Sequence, residues 1–574
     1  MTKKKRNKKI NINQKSFYFE DYLATNQFSK KKEESKVSED RIFILFFSFI
    51  CLITAFLIKI STLSFQDPIF SLKDDYNNYF SPIRRDIVDT NGELISRNVK
   101  SHHAAVRSKM IKDKKKFALK IKYIYPDMNI NQLLKNLNEK KYFYIKKRLT
   151  NDEKVRLWKL GEKGIVFEPF QTRIYPHSKL YSHILGQIDS ENYGISGIEK
   201  FLDKDLKNAE KLNIPLKLSL DTNLQFVIHK ELNNSVDLFN TQGSASLLMK
   251  ARTGEILSLV SLPDYNINKR ENISSSKFIN KITMGVYELG SIFKTFTIAL
   301  AIDKKIIDSN TLIKNIPNKV NCSKYTISDI KDFPEELTTS DILIRSSNIG
   351  SLMIARKIGK EQFKSFLNKI HLLEKPKLEI DEIGTPLNFK WNKCKLETVS
   401  YGHGITTTPL QAASAYASIL NGGMLIQPTL LKKDNIVKHE RIIKESTSKE
   451  MQGILRKVVE GKNGTAHLAD IQGYNVMGKT GTAENYIDKK KNINTFVSSF
   501  SANGEKYILL ILLEDPQVAK DLVYDYRGQK IKGFRNEAGW NSVYVAGQII
   551  KKIGPILAIN NKEFNETHVV EKIN

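Results

Sequence analysis

Cysteine is scarce, with three in 574 residues. Cys51 lies inside an apolar run, Cys322 and Cys394 are far apart, and no Cys-x-x-Cys occurs. That argues against a disulfide framework and against a thiolate zinc site, and no metal ligand set is expected. One Cys322–Cys394 bridge and two free, part-buried thiols both stay open. Acidic residues are also in deficit: 62 Asp+Glu against 91 Lys+Arg leave a net charge of +29. Such an excess can mark a nucleic-acid or anionic-membrane partner. Here the lysines are dispersed, and no zinc-finger, RRM-like or KH-like pattern accompanies them, so no nucleic-acid partner is expected. Internal repeats and low-complexity segments are lacking too. The apolar fraction of 41% argues against wholesale disorder, and the length calls for two or three domains.

One uncharged run stands out, IFILFFSFICLITAFLI at residues 42–58. It reaches the short end of what a bilayer core requires, and Lys59 can snorkel to let the span continue. The preceding residues 1–41 hold 12 Lys+Arg and 6 Asp+Glu. The expected topology is therefore a basic cytoplasmic tail (1–41), a transmembrane helix (42–60) and an exported remainder. A cleaved signal peptide fits poorly, because the charged segment is long and no small-x-small site follows.

Residues 61–215 alternate short strand-like runs with charged helical stretches. Asn91-Gly92 between apolar runs predicts a hairpin, and the lysine-rich stretch 112–163 has helical spacing. Pro215 marks a boundary. From Leu216 the pattern reads strand, helix, strands, many helices, strands, helix. Asp221 or Thr222 caps the helix 223–234, and apolar strands flank Arg252-Thr-Gly. Late strands are expected at 474–477, 495–501 and 507–513, with a closing helix over 541–552 and a tail over 556–574. This order predicts an α+β domain over 216–555, layered on an antiparallel sheet.

Three short patterns carry chemistry. Ser291-Ile-Phe-Lys294 opens an apolar helix, so the lysine sits one turn from the serine on the same face. Serine is a weak nucleophile that needs a base, and burial lowers a lysine pKa enough to supply one. Ser29/Lys32, Ser274/Lys277 and Ser446/Lys449 share the spacing but have polar flanks. Ser346-Ser347-Asn348 follows one helix and precedes another, offering a hydroxyl for proton relay and an amide for a peptide backbone. Gly478-Lys479-Thr480-Gly481-Thr482 falls at a strand end, where glycines admit a second backbone and Lys479 and Thr480 can hold a carboxylate. Each pattern is weak alone; the ordered set is specific.

With these motifs the chain resembles the class B penicillin-binding proteins, most like the cell-division (septal) peptidoglycan D,D-transpeptidases. Further matching stretches are Arg173-Ile-Tyr-Pro, Gly197-Ile-Glu-Lys, Thr253-Gly-Glu-Ile-Leu, Ile405-Thr-Thr-Thr-Pro-Leu-Gln and Ala538-Gly-Trp-Asn. Leu289 and Ile292 stand where the family usually has proline and threonine, and Arg85 and Thr90 depart from its early hairpin.

The resemblance implies a penicillin-binding transpeptidase fold on an elongated pedestal at 61–215. It implies Ser291 as nucleophile, Lys294 as base, Ser346 as proton relay and Asn348 as holder of the donor amide. Lys479 and Thr480 would bind the terminal carboxylate, Thr480, Gly481 and Thr482 would form the substrate-binding edge, and the backbone N–H groups of Ser291 and Thr482 would form the oxyanion hole. Peptidoglycan stem peptides and β-lactams are the expected ligands, and no cofactor is implied. A membrane glycan-polymerising glycosyltransferase and other division proteins are expected partners, meeting the anchor and pedestal near Arg84, Arg85 and Asn91. The expected location is the bacterial inner (cytoplasmic) membrane with the catalytic domain periplasmic. An elongation-type transpeptidase, a D,D-carboxypeptidase and a β-lactamase are the alternatives. His403 is read as structural, Trp540 as a core residue and Glu484 as a rim residue.

Overall fold

The computed structural model describes residues 32–65, 83–189, 191–269, 276–323, 325–433, 439–484 and 491–571. Most of the basic tail, residues 1–31, lies outside them. The chain divides into two compact units, Met1–Ser81 and Pro82–Asn574. In the first, the helix Lys32–Phe65 carries the apolar run, and its exposed stretch Arg41–Thr62 is long and apolar enough to cross a membrane. The hydroxyls of Ser48 and Thr54 donate to carbonyls one turn back, Ile44 at 2.6 Å and Ile50 at 2.7 Å, which satisfies them without water.

The second unit begins with the pedestal. The Asp89 carboxylate accepts from the N–H groups of Asn91 and Glu93, both at 2.8 Å, and Gly92 takes φ +90°, so the predicted turn forms. It joins β1 (Ile87–Val88) to β2 (Leu94–Arg107), which also pairs antiparallel with β3 (Tyr142–Lys146) and β4 (Ile165–Ile174). The lysine-rich stretch forms the helices Lys114–Ile124, Ile130–Glu139 and Asn151–Trp158, but β3 interrupts it. There Tyr-Phe-Tyr-Ile alternates in and out, and Phe143 joins Phe117, Ile121, Leu133, Leu137 and Leu157 in a separate small core. The strand expected to open the catalytic domain instead starts as β5 (Leu216–Lys217), parallel to β1, so pedestal and catalytic domain share a sheet edge at Pro215.

A buried ionic knot sits at that root. The Arg84 guanidinium lies 2.7 Å from Glu199 and also pairs with Asp203, while Arg173 donates to Glu199 at 2.8 Å. Arg84, Arg173 and Glu199 side chains have no exposed surface. Arg85 pairs with Asp205, and Asn91 donates to Asp221 at 3.0 Å. The expected partner contact is therefore corrected for Arg84 and Arg85, whose side chains are buried because a guanidinium in a desolvated root needs carboxylate partners, whereas Asn91 is exposed.

The catalytic domain is built on an antiparallel sheet ordered β12-β13-β14-β6-β7. Its strands are β6 (Gly243–Lys250), β7 (Ile256–Leu262), β12 (Met477–Glu484), β13 (Asn492–Ala502) and β14 (Glu505–Glu514). Every residue of β7 is buried, so helices cover both faces. Thr222–Phe239, capped by Asp221, and Ser542–Glu571 pack together on the sheet, and Pro409–Leu420 packs on β13, β14 and β6. Two short antiparallel pairs stand apart from this sheet, β8 (Leu312–Ile313) with β11 (Leu337–Thr338) and β9 (Lys319–Cys322) with β10 (Tyr325–Ser328).

Three expectations shift. The first late strand runs from Met477 to Glu484, not over 474–477, so the Lys-Thr-Gly triplet lies inside a strand. β12 is an edge whose glycines permit pairing with β13 while another segment approaches. The closing helix continues past 552, through Pro555, because Ile553 and Leu557 still bury against the core. A hairpin unread in the sequence, β15 (Val523–Tyr526) with β16 (Gln529–Lys532), packs Tyr524 and Tyr526 on Trp540, which is half-buried rather than core.

Candidate active site

The helix Lys294–Asp303 is buried at every position through Ile302 and is entered by a tight turn, Gly290–Phe293, that carries Ser291. Two glycines make the entry possible. Gly290 has φ +59°, and a Cβ there would stand 2.7 Å from the Thr482 carbonyl; a Cβ on Gly481 would stand 2.2 Å from the Leu289 carbonyl. The serine turn and β12 thus touch backbone to backbone, a contact no larger residue allows. The Tyr416 hydroxyl donates to the Ile292 carbonyl at 2.9 Å and meets Thr295 at 2.7 Å, steadying the helix start. Tyr287 pairs through its backbone with Thr407, and Thr408 caps the helix Pro409–Leu420 with Gln411. The matching stretch around Ile405 therefore braces the chain just before the serine.

Lys294 Nζ lies 2.8 Å from Ser291 Oγ, 2.7 Å from the Ser346 carbonyl and 3.0 Å from Ser346 Oγ. Lys479 Nζ lies 3.0 Å from the same Ser346 hydroxyl. Both lysines are fully buried. Burial and the Lys479 charge hold the Lys294 pKa well below an ordinary lysine, against the opposing field of Asp329. Burial pushes Lys479 down to about 7. A neutral lysine has two N–H groups and one lone pair. Ser346 can take both N–H groups of Lys294, which leaves the lone pair for the Ser291 proton.

The structure brings Ser291, Lys294, Ser346 and Lys479 together. Ser346 adopts φ +68° at the end of the helix Thr339–Arg345. Asn348 opens the helix Asn348–Ile358, and its amide donates to the Ser328 carbonyl at 3.1 Å. Lys479 turns to Ser346 and away from the surface, whereas Thr482 is exposed and Thr480 meets Thr465 through their hydroxyls at 3.0 Å. Asp329, Tyr416 and Thr465 carry no sequence motif, so sequence reading missed them. Cys322 and Cys394 are bonded, Cα atoms 5.7 Å apart. His403 is exposed and lies 3.3 Å from Glu288, whose hydrogen bond raises its pKa. Among the described residues no group of His, Cys, Asp and Glu could hold a metal.

A serine–lysine pair at the head of a buried helix, set against the edge of an antiparallel sheet, marks the class of serine acyl-transferring enzymes. The chain belongs to the penicillin-binding protein transpeptidases: residues 244–533 match the Penicillin binding protein transpeptidase domain and residues 79–214 the Penicillin-binding Protein dimerisation domain. It is 30% identical over 495 residues to the "Probable peptidoglycan D,D-transpeptidase FtsI" of Caulobacter vibrioides, covering 83% of this chain and 82% of that one. The "Peptidoglycan D,D-transpeptidase FtsI" of Escherichia coli K12 is 26% identical, covering 67% and 70%. In fold it is similar to penicillin binding protein 3 from Mycobacterium tuberculosis, solved with aztreonam, at TM-score 0.62 and 19% identity over 82% of this chain and 96% of that one.

Proposed function

We propose that this protein is a membrane-anchored D,D-transpeptidase that cross-links peptidoglycan stem peptides at the division septum through an acyl-enzyme on Ser291. The observation that carries the reading is Lys294 Nζ at 2.8 Å from Ser291 Oγ, in a site where burial disfavours the ammonium. Lys294 takes the serine proton as Oγ attacks the penultimate D-alanine carbonyl. The N–H groups of Ser291 and Thr482 receive the oxyanion. The C–N bond then breaks, and Ser346 delivers a proton to the departing D-alanine amine. An amine from a neighbouring stem peptide attacks the ester, and Oγ leaves with a proton returned to it. Thr480, Gly481 and Thr482 receive the terminal carboxylate while Lys479 supplies positive charge behind Ser346. Asn348, its amide nitrogen held by Ser328, turns Oδ1 to the donor peptide.

A β-lactam should acylate Ser291 and stay, because its ring carries no departing amine. Intact-mass analysis should show the adduct in the native protein and none in Ser291→Ala; an adduct surviving that change, or rapid steady-state hydrolysis of the β-lactam, sinks the transpeptidase assignment. The basic tail favours a topology with residue 1 in the cytoplasm and residue 574 outside it, so a C-terminal reporter that works only in the cytoplasm contradicts the proposed topology. Glycan strands must come from a membrane glycosyltransferase, met through the anchor and the exposed pedestal surface. Replacing residues 42–58 by an unrelated span should weaken co-purification with it.

A further inference from the structure

The turn Ser346-Ser347-Asn348 is the least self-supporting part of the site. Ser346 holds a left-handed conformation that non-glycine residues avoid, and both its carbonyl and its hydroxyl must face Lys294. One carboxylate over-determines the turn. Asp329 Oδ2 accepts from Ser347 Oγ at 2.7 Å, and Oδ1 accepts from the N–H groups of Asn348 and of Ile349, the latter at 3.2 Å. These N–H groups open the helix Asn348–Ile358, where a negative charge is favoured. The neighbouring Ser328 carbonyl takes the Asn348 amide. Asp329 follows directly on the β9–β10 hairpin, and the Cys322–Cys394 bond ties that hairpin to the segment leading into Gly402. A Cβ on Gly402 would stand 2.0 Å from the Gly290 carbonyl, so this tie reaches the serine turn itself.

We propose that Asp329 is a positioning residue of the acylation step, its carboxylate setting the Ser346–Asn348 turn against Lys294. The inference rests on the roles of Ser291 and Lys294 proposed above. Asp329 acts in two separable ways. It fixes the turn by three hydrogen bonds, and its charge acts on Lys294. The charged groups acting on Lys294 are Lys479, which lowers its pKa, and Asp329, which raises it; Ser291 and Ser346 are its neutral contacts. Neutralising Asp329 therefore makes Lys294 easier to deprotonate while loosening the turn. The two effects leave opposite marks on a pH profile.

The experiment measures acylation of the full chain by a labelled penicillin against pH, for the native protein, Asp329→Asn and Ser347→Ala, each checked by thermal melting. Asp329→Asn should lower the plateau rate about 10- to 100-fold and move the acid limb to lower pH. Ser347→Ala keeps the carboxylate charge, so its plateau should fall with the limb unmoved. A purely structural aspartate would lower the plateau without moving the limb in either variant. The inference is overturned if the Asp329→Asn limb stays in place or moves up, or if its plateau stays within about twofold of native. If Asp329→Asn does not fold, an unchanged Ser347→Ala plateau overturns it. Absence of any adduct at Ser291 in the native protein fails the underlying reading itself. An adduct with an unchanged Asp329→Asn profile fails this inference alone.

Discussion

Lys294 is the residue on which the proposed chemistry turns. A lysine without exposed surface, 2.8 Å from a serine hydroxyl and near a second buried lysine, is held toward its neutral form. Acylation requires that neutral form, so the rate should fall as pH drops through the depressed Lys294 pKa. Lys294→Arg keeps the charge but cannot give up its proton near neutral pH. Acylation by a β-lactam should drop by about 10²- to 10⁴-fold in a variant that still folds, checked by a cooperative thermal melt. Near-native acylation in this variant rejects Lys294 as base. The pair was legible from Ser-x-x-Lys spacing and apolar flanks, since residues three apart on a helix share a face. Asp329 was not legible, because an aspartate 17 residues before Ser346 acquires its meaning only when β10 lies alongside the turn.

At the scale of elements, the Cys322–Cys394 bond closes a loop with a sequence separation of 72 between a hairpin and a helix start. A loop that long constrains the unfolded chain strongly, so Cys322→Ser with Cys394→Ser should cost about 4 kcal/mol of stability. A denaturation midpoint unchanged in that double variant counts against the bond as a stabilising element. Periodicity predicted the hairpin at Asn91-Gly92, the β6–β7 pair and the apolar helix from Ser291, all of which have strong local signals. It misplaced the start of β12, because glycines and threonines at a sheet edge carry no apolar alternation. It passed over β3 and the β15–β16 hairpin, whose charged residues hid their alternation.

For the molecule as a whole, pedestal and catalytic domain are joined at a root where Arg84, Arg173 and Glu199 are buried together. Burial would lower the Arg84 pKa, but Glu199 and Asp203 outweigh it and raise it. Removing one partner strands the others in a desolvated site. Arg84→Ala should therefore destabilise this unit by about 3–5 kcal/mol, measured by chemical denaturation. A loss below about 1 kcal/mol, the worth of a surface pair, would show that water reaches the knot.

The amino-acid sequence by itself determined the apolar run long enough to cross a membrane, the order of the dimerisation and transpeptidase domains, the α+β class and the three motifs proposed for catalysis. Each rests on local composition or on spacing within a single element. Only tertiary structure decided that Arg84 and Arg85 face inward, that Cys322 meets Cys394, and that Lys294 and Lys479 converge on the Ser346 hydroxyl. Those facts depend on segments more than 50 residues apart meeting in space. A buried charge, a bonded thiol and a depressed lysine pKa are properties of an environment, and the environment exists only once the chain has packed.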